Sequence, residues 1–300
     1  MIEAPEACCL SEQLNRTVRG KRITNVFAQY TPHKFAWFYG NPKEYPERLT
    51  GKTIDKINPC GGMIEIEAGD MMLILTDGIN LRYFTPGEKL PARHQLLIGF
   101  EDESCLVASV RMYGGLWCFP KEGFNAPIAA YYETAKNKPQ VMTDEFCESY
   151  FRKLIYADDA QKKTTKAFLA TEQTIPGLGN GVLQDILYNA RIHPKTRIHS
   201  LSAGQKEELY HQIKSTLQEM YNLGGRSTET DLFGKSGGYI PHLSKNTAGT
   251  ICPRCEDMIK KENYLGGSIY YCDADLVRFA ECGGYDWIYG CISNGLSGSA

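Results

Sequence analysis

Three groups of residues have types and spacings that could do chemistry. Cys252-Pro253-Arg254-Cys255, sixteen intervening residues and then Cys272 form most of a C-x2-C…C-x2-C pattern, in which two thiolates on each of two tight turns hold zinc tetrahedrally. The fourth position of that pattern is Asp275, a carboxylate that zinc accepts, and Cys282 is the competing ligand. The plainer alternative is a site that has lost its metal. Second, the turn Gly177-Leu178-Gly179-Asn180 opens a helix at Asn180, and the N–H groups at such a start make a phosphate site. Lys166, on the preceding helix, could meet the same phosphate. Most turns of this kind only connect helices. Third, Glu3 and Glu6 bracket Pro5 at the chain start. Two carboxylates there could move protons, although acidic first turns ordinarily serve only the helix dipole.

The elements that must position these residues fall into two styles. Residues 5–18 place Ala7, Leu10, Leu14 and Val18 on one helical face, with Pro5 in the first turn and Gly20 beyond the end. Six short β-branched and aromatic runs follow, over 22–30, 34–40, 63–69, 72–78, 95–100 and 105–119. MIEIE within 63–69 alternates as a half-buried strand should. Six strands without intervening helices predict an antiparallel sandwich or barrel. Residues 125–142 read as a Pro/Ala/Lys connector, after which the period becomes helical: 143–157, 164–173, 180–190 and 202–223. Ser202 and Gln205 suit a capping box on the last of these. The Gly/Ser/Thr-rich stretch 224–240 reads as a flexible loop, with Tyr239 and Gly237-Gly238 suggesting a mobile lid.

Composition is that of soluble globular protein: 300 residues, 42% apolar, 23% charged, net charge −2. No apolar run approaches the roughly 18 residues of a membrane span. The start MIEAPEACCL carries no secretory signal, so a soluble, cytoplasmic protein is expected. The near-neutral charge hides an asymmetry. Residues 151–271 hold 16 Lys and Arg against 12 Asp and Glu, while the remainder holds 17 against 23. A basic second half permits an anionic partner. Of the 11 cysteines, Cys8, Cys9, Cys60, Cys105, Cys118 and Cys147 lie among apolar neighbours and read as small core residues. An odd total without an export signal argues against a disulfide framework and for a metal near the C-terminus.

Taken in order, these features resemble the formamidopyrimidine-DNA glycosylase / endonuclease VIII family over roughly residues 1–275, most specifically from Lys166 to Pro194, which is similar to that family's helix-two-turns-helix motif. The resemblance implies an α+β multidomain fold. It comprises an N-terminal antiparallel β-sandwich with an N-terminal helix (1–125), a linker (126–142), a helix-two-turns-helix DNA-binding domain (143–245), a zinc-ribbon-like hairpin (246–283) and a tail (284–300). It implies a base-excision glycosylase with AP-lyase activity, acting as a monomer on a damaged base or abasic site in duplex DNA, with a structural zinc ion. The family's nucleophile is the N-terminal amine, which attacks the sugar C1′ as a Schiff base while a glutamate handles protons.

Residue by residue, the resemblance gives Ile2, Glu3 and Glu6 catalytic positions. It gives Lys166 and Asn180 phosphate contacts, and it makes Ile79, Met112 and Tyr113 apolar wedges for the gap left by the flipped nucleotide. Cys252, Cys255 and Cys272 become zinc ligands, with Asp275 or Cys282 as the fourth. The sequence departs from the family at four places: Ile2 replaces the N-terminal proline, Gly62 a turn lysine and Gly267 the hairpin arginine, and the wedge positions Ile79, Met112 and Tyr113 lack the guanidinium that would pair with the orphan base. Ile2 beside the initiator methionine predicts that Met1 is kept. These departures motivate a second reading, a lesion- or structure-specific DNA-binding protein with impaired catalysis. A zinc protein unrelated to DNA is a third.

Overall fold

The structure is a computed structural model and describes residues 1–76, 78–122 and 129–273. The first helix, α1 (Ala4–Thr17), starts where Pro5 pre-sets the backbone and where the Glu3 N–H donates to Glu6 Oε2 at 3.3 Å. Its buried face is Ala7, Leu10 and Leu14, continued by Val18 beyond its end. Nine strands follow: β1 (Ile23–Ala28), β2 (Ala36–Phe38), β3 (Ile54–Cys60), β4 (Met63–Ala68), β5 (Met71–Leu75), β6 (Ile79–Phe84), β7 (Leu96–Phe100), β8 (Cys105–Val110) and β9 (Gly114–Pro120). They form two sheets, β1-β7-β8-β6 and β2-β9-β5-β4-β3, whose inner faces and α1 enclose one core. The apolar run 105–119 is two strands, because Arg111-Met112-Tyr113 turns between them. One pairing is not antiparallel: β2 runs parallel to β9.

Helices also form where the periodicity argument places none. A short helix, α2 (Tyr45–Leu49), interrupts the strands. Part of the expected connector is α3 (Ala129–Lys136). It lays Tyr132 and Ala135 on the outer face of the five-stranded sheet, against Met63, Met72, Ile74, Trp117 and Phe119. Strand β4 is therefore covered on both faces instead of one, and its Glu65 is buried, accepting a hydrogen bond from Tyr132 Oη at 2.6 Å. Of the six cysteines expected in the core, Cys60, Cys105 and Cys118 are buried, Cys8 and Cys9 are half-buried, and Cys147 is exposed. Cys147 instead caps the next helix.

That helix is α4 (Glu148–Ile155), five residues later than its sequence pattern begins, and it is followed by α5 (Asp158–Gln161). Then α6 (Thr165–Ala170), α7 (Val182–Asn189) and the long α8 (Ala203–Asn222) pack around a second apolar cluster. The chain after α7 folds back on α6: the Thr165 N–H donates to the Thr196 carbonyl (2.8 Å), the Lys166 N–H to the Pro194 carbonyl (3.1 Å) and Thr165 Oγ1 to the His193 carbonyl (3.0 Å). The expected capping box opens α8, with the Gln205 N–H donating to Ser202 Oγ at 3.2 Å.

The stretch 224–240 is not a flexible lid. The Tyr239 N–H donates to the Gly225 carbonyl (3.0 Å) and the Gly238 N–H to the Leu223 carbonyl (2.8 Å). Tyr239 is 3% exposed, with its hydroxyl donating to Asp185 Oδ2 at 2.9 Å, and Leu232 lies in the sandwich core. Last comes the hairpin of β10 (Lys260–Tyr264) and β11 (Gly267–Tyr271). Among the described residues, no helix is long and apolar enough to cross a membrane.

Candidate active site and nucleic-acid interface

The acidic pair at the chain start sits where α1, the N-terminus of α7 and the segment after α8 converge. Glu3 accepts hydrogen bonds from the Gly181 N–H (2.8 Å) and the Val182 N–H (2.6 Å), the donors that α7 cannot use internally. Glu6 accepts from the Arg226 N–H (3.1 Å), Nε (2.9 Å) and Nη2 (2.8 Å). Arg226 Nη1 also lies 3.3 Å from Glu3 Oε2. All three side chains are buried. Burial pushes the carboxyls of both glutamates up. At Glu6 the charge and hydrogen bonds of Arg226 prevail and hold it below the ordinary range, whereas Glu3 stays above it despite Arg226 and the two amides. The phosphate site expected at the GLGN turn is thus corrected: the chain's own Glu3 fills the Gly181 and Val182 amides.

Arg226 and Glu229 are the functional residues that sequence reasoning misses. Arg226 Nη2 also donates to the Met1 carbonyl at 3.3 Å, and the Met1 amine contacts the Glu229 carboxylate. Ile2 itself is buried in the sandwich core. The turn that lacks the family lysine passes directly over this start. Gly61, at φ +57°, lies against Gly177, at φ +84°, where a Cβ on Gly177 would come within 2.7 Å of the Gly61 backbone. A Cβ on Gly62 would come within 3.1 Å of the Ile2 carbonyl oxygen.

A cleft of about 630 Å³ opens between the sandwich and the helical module. Met1, Glu3, Glu229, Asn180, Met112 and Tyr113 all line it. Of the three wedge positions, Met112 (58% exposed) and Tyr113 (36%) stand out at the β8–β9 turn, while Ile79 is 4% exposed within the core cluster of the sandwich. Ile79 lines the same cleft, but as part of its packed wall and not as a projecting tip, so the structure does not support it as an inserted wedge.

Lys166 and Asn180 meet at the β10–β11 turn. Lys166 Nζ donates to the Tyr264 carbonyl, and burial lowers its pKa below the usual lysine value. Asn180 Nδ2 donates to the Ser268 carbonyl at 2.7 Å, and Asn180 Oδ1 is buried without a hydrogen-bond partner among the described residues. A Cβ on Gly267 would stand 3.2 Å from the Asn180 amide. Gln184 ties the turn to α7, donating to the Ser268 carbonyl (3.1 Å) and accepting from the Tyr270 N–H (3.1 Å).

Three sulfurs gather at the base of this hairpin. The Sγ atoms of Cys252, Cys255 and Cys272 lie within 4.8 Å of one another, with Cys272 Sγ 3.5 Å from Cys252 Sγ. Soft donors converging at that spacing fit one metal ion. Burial raises the Cys252 thiol, but hydrogen bonds from Tyr188, the Arg254 and Cys255 N–H groups and Cys272 outweigh it and bring it down to about 7. Asp275 and Cys282, the two candidates for the fourth ligand, lie outside the described residues.

Residues 138–231 match the model of the formamidopyrimidine-DNA glycosylase H2TH domain. The formamidopyrimidine-DNA glycosylase of Lactococcus lactis is 26% identical over 277 residues, covering 91% of this chain and 98% of the relative. That of Pelotomaculum thermopropionicum is 27% identical over 281 residues, with the same coverage. The solved complex of the Lactococcus lactis enzyme with DNA containing an abasic site superposes with a TM-score of 0.77 at 25% identity, covering 92% of this chain and all of that one. The chain thus carries the H2TH domain of the formamidopyrimidine-DNA glycosylases and is similar to them in sequence and fold over more than nine-tenths of its length.

Proposed function

We propose that this protein is a DNA repair glycosylase with AP-lyase activity, acting on damaged bases in duplex DNA through an N-terminal Schiff base. One observation carries the reading: the Met1 amine, Glu3, Asn180 and the exposed Met112 and Tyr113 share a single cleft. Its volume of about 630 Å³ falls within the range of about 300–1,000 Å³ usual for small-ligand sites and suits an extruded nucleotide. Extrusion costs a few kcal/mol, least at a lesion. Met112 and Tyr113 offset that cost by filling the unstacked step. The amine attacks C1′ and displaces the base, and Glu3, whose carboxyl titrates above its ordinary value, is suited to giving and taking a proton there.

Lys166 and Asn180 serve as the phosphate contacts. An ammonium carries three donors, so its bond to Tyr264 leaves others for a phosphate oxygen. Cys252, Cys255 and Cys272 would hold a zinc ion, with Asp275 or Cys282 completing the set. Zinc there would fix the hairpin against α7 and supply no chemistry to the reaction. Borohydride trapping on abasic and oxidised-base duplexes tests the reading. A covalent adduct at the N-terminal peptide, lost in Glu3→Gln, is expected, and no adduct across the panel rejects it. A second reading, damage binding without turnover, is favoured by Gly62, where the turn carries no lysine and presses on Ile2 instead. It is distinguished by a salt-dependent gel shift on lesion DNA with no cleavage.

A further inference from the structure

An N-terminal ammonium must lose a proton before its nitrogen can attack. Met1 is held at three points. Its amine contacts Glu229, its carbonyl accepts from Arg226 Nη2 at 3.3 Å, and its sulfur accepts from Tyr113 Oη at 3.6 Å. The two buried glutamates are already engaged: Glu3 by the Gly181 and Val182 amides and Arg226, Glu6 by Arg226 from three atoms. Glu229 differs. Its side chain remains 22% exposed and faces the cleft. Its backbone is fixed on both sides, its N–H donating to the Arg226 carbonyl (3.0 Å) and its carbonyl accepting from the Gly237 N–H (3.3 Å). The other charged or titratable groups around Met1 are Glu3 before α1 and Glu6 on it, Arg226 of the same segment as Glu229, Tyr113 of the β8–β9 turn, Arg111, Lys245 and Tyr270 on the cleft wall, and Lys166, Glu172 and Tyr131 in the adjoining pocket.

We infer that Glu229 is the proton shuttle of the N-terminal amine, a role that rests on the Schiff-base reading. Its carboxylate takes a proton from the Met1 ammonium, freeing the lone pair to attack the C1′ aldehyde carbon of an abasic sugar. The proton then passes to the carbinolamine oxygen. A second nitrogen-to-oxygen transfer through the same carboxylate expels water. Two protons move from nitrogen to oxygen, a C=N bond forms and a C–O bond breaks. The carboxylate and the positive charge on nitrogen end as they began. Arg226 is the positioning residue, since it holds the Met1 carbonyl and the carbonyl that anchors Glu229.

The test compares wild type, Glu229→Gln and Glu229→Asp in two reactions of the intact protein. One is borohydride trapping on abasic duplex. The other is reductive methylation of the Met1 amine by formaldehyde without DNA, read by mass on the N-terminal peptide. Glu229→Gln is expected to slow both roughly a hundredfold at pH 7, the low end of general acid–base catalysis. Its residual rate should climb with pH more steeply than wild type, and Glu229→Asp should fall between. A Gln variant as fast as wild type with formaldehyde overturns the inference, as does an intact mass lacking Met1. If wild type gives no DNA adduct while the formaldehyde reaction still depends on Glu229, the glycosylase reading falls and the shuttle stands.

Discussion

Two polar seams join the parts of this molecule, and they are built from different materials. The seam between α1, the start of α7 and the segment after α8 is ionic: two carboxylates and one guanidinium, all buried. The seam between α6, α7 and the β10–β11 turn is made of side chains donating to backbone carbonyls, Lys166 to Tyr264 and Asn180 and Gln184 to Ser268. Breaking a buried ion pair by removing one partner costs about 3–5 kcal/mol, because the other charge is stranded. A hydrogen bond is worth only about 0.5–1.5 kcal/mol net, because another acceptor can replace the first. The first seam therefore holds the first residues of the chain firmly, while the second rests on bonds that are cheaper to exchange, as the proposed phosphate contacts require.

Breaking the ionic seam should have the largest effect. Arg226→Met is expected to cost about 3–5 kcal/mol in urea unfolding, and a loss below about 1 kcal/mol would show that the seam is not the clamp described. Acid titration sharpens the same point. Glu6 has a depressed folded pKa, so its stabilisation is complete above the ordinary value near 4.5 and is lost as pH falls through the lower folded value. Glu3 has a raised pKa and the opposite sign, because ionising it on the way to neutral pH costs stability. Glu6→Gln should thus lower stability at pH 7 and flatten its fall below pH 4.5, whereas Glu3→Gln should not lower it through charge; both are read as unfolding midpoint against pH. The carbonyl seam should respond less. Lys166→Met, which removes a charged donor, is expected to lose no more than about 3 kcal/mol of stability, yet to reduce the salt dependence of duplex binding by about 0.9 in log–log slope. An unchanged slope would remove Lys166 from the phosphate contacts. Smallest of all in stability, Met112→Ala should stay within about 0.5 kcal/mol of wild type, while weakening binding to abasic more than to intact duplex in a fluorescence titration.

The halves of the chain were unequally legible. Helical period and capping residues located α1, α7 and α8 closely, because those signals are local, and the Ser202–Gln205 box formed as read. The cysteine spacing likewise brought three sulfurs together. The doubly covered β4 was hidden, since its second face is packed by α3 from a Pro/Ala/Lys stretch without strong periodicity. The family resemblance makes Ile79 a wedge, but the sheet buries it. Arg226 was the largest omission. In GGRSTE it looks like a solvated charge in a loop, and its two carboxylates lie 220 and 223 residues away in sequence. The available signal is indirect: Glu6 shares a helix face with Leu10 and Leu14, and an acid on a buried face needs a cation.

The glycine at residue 62 couples the β3–β4 turn to the start of the chain. A Cβ there would come within 3.1 Å of the Ile2 carbonyl oxygen, and one on Gly61 within 3.0 Å of the Gly177 nitrogen. Any side chain at residue 62 therefore requires the backbone at Ile2 to yield by a few tenths of an ångström, so the turn and the first residues of the chain move as one unit.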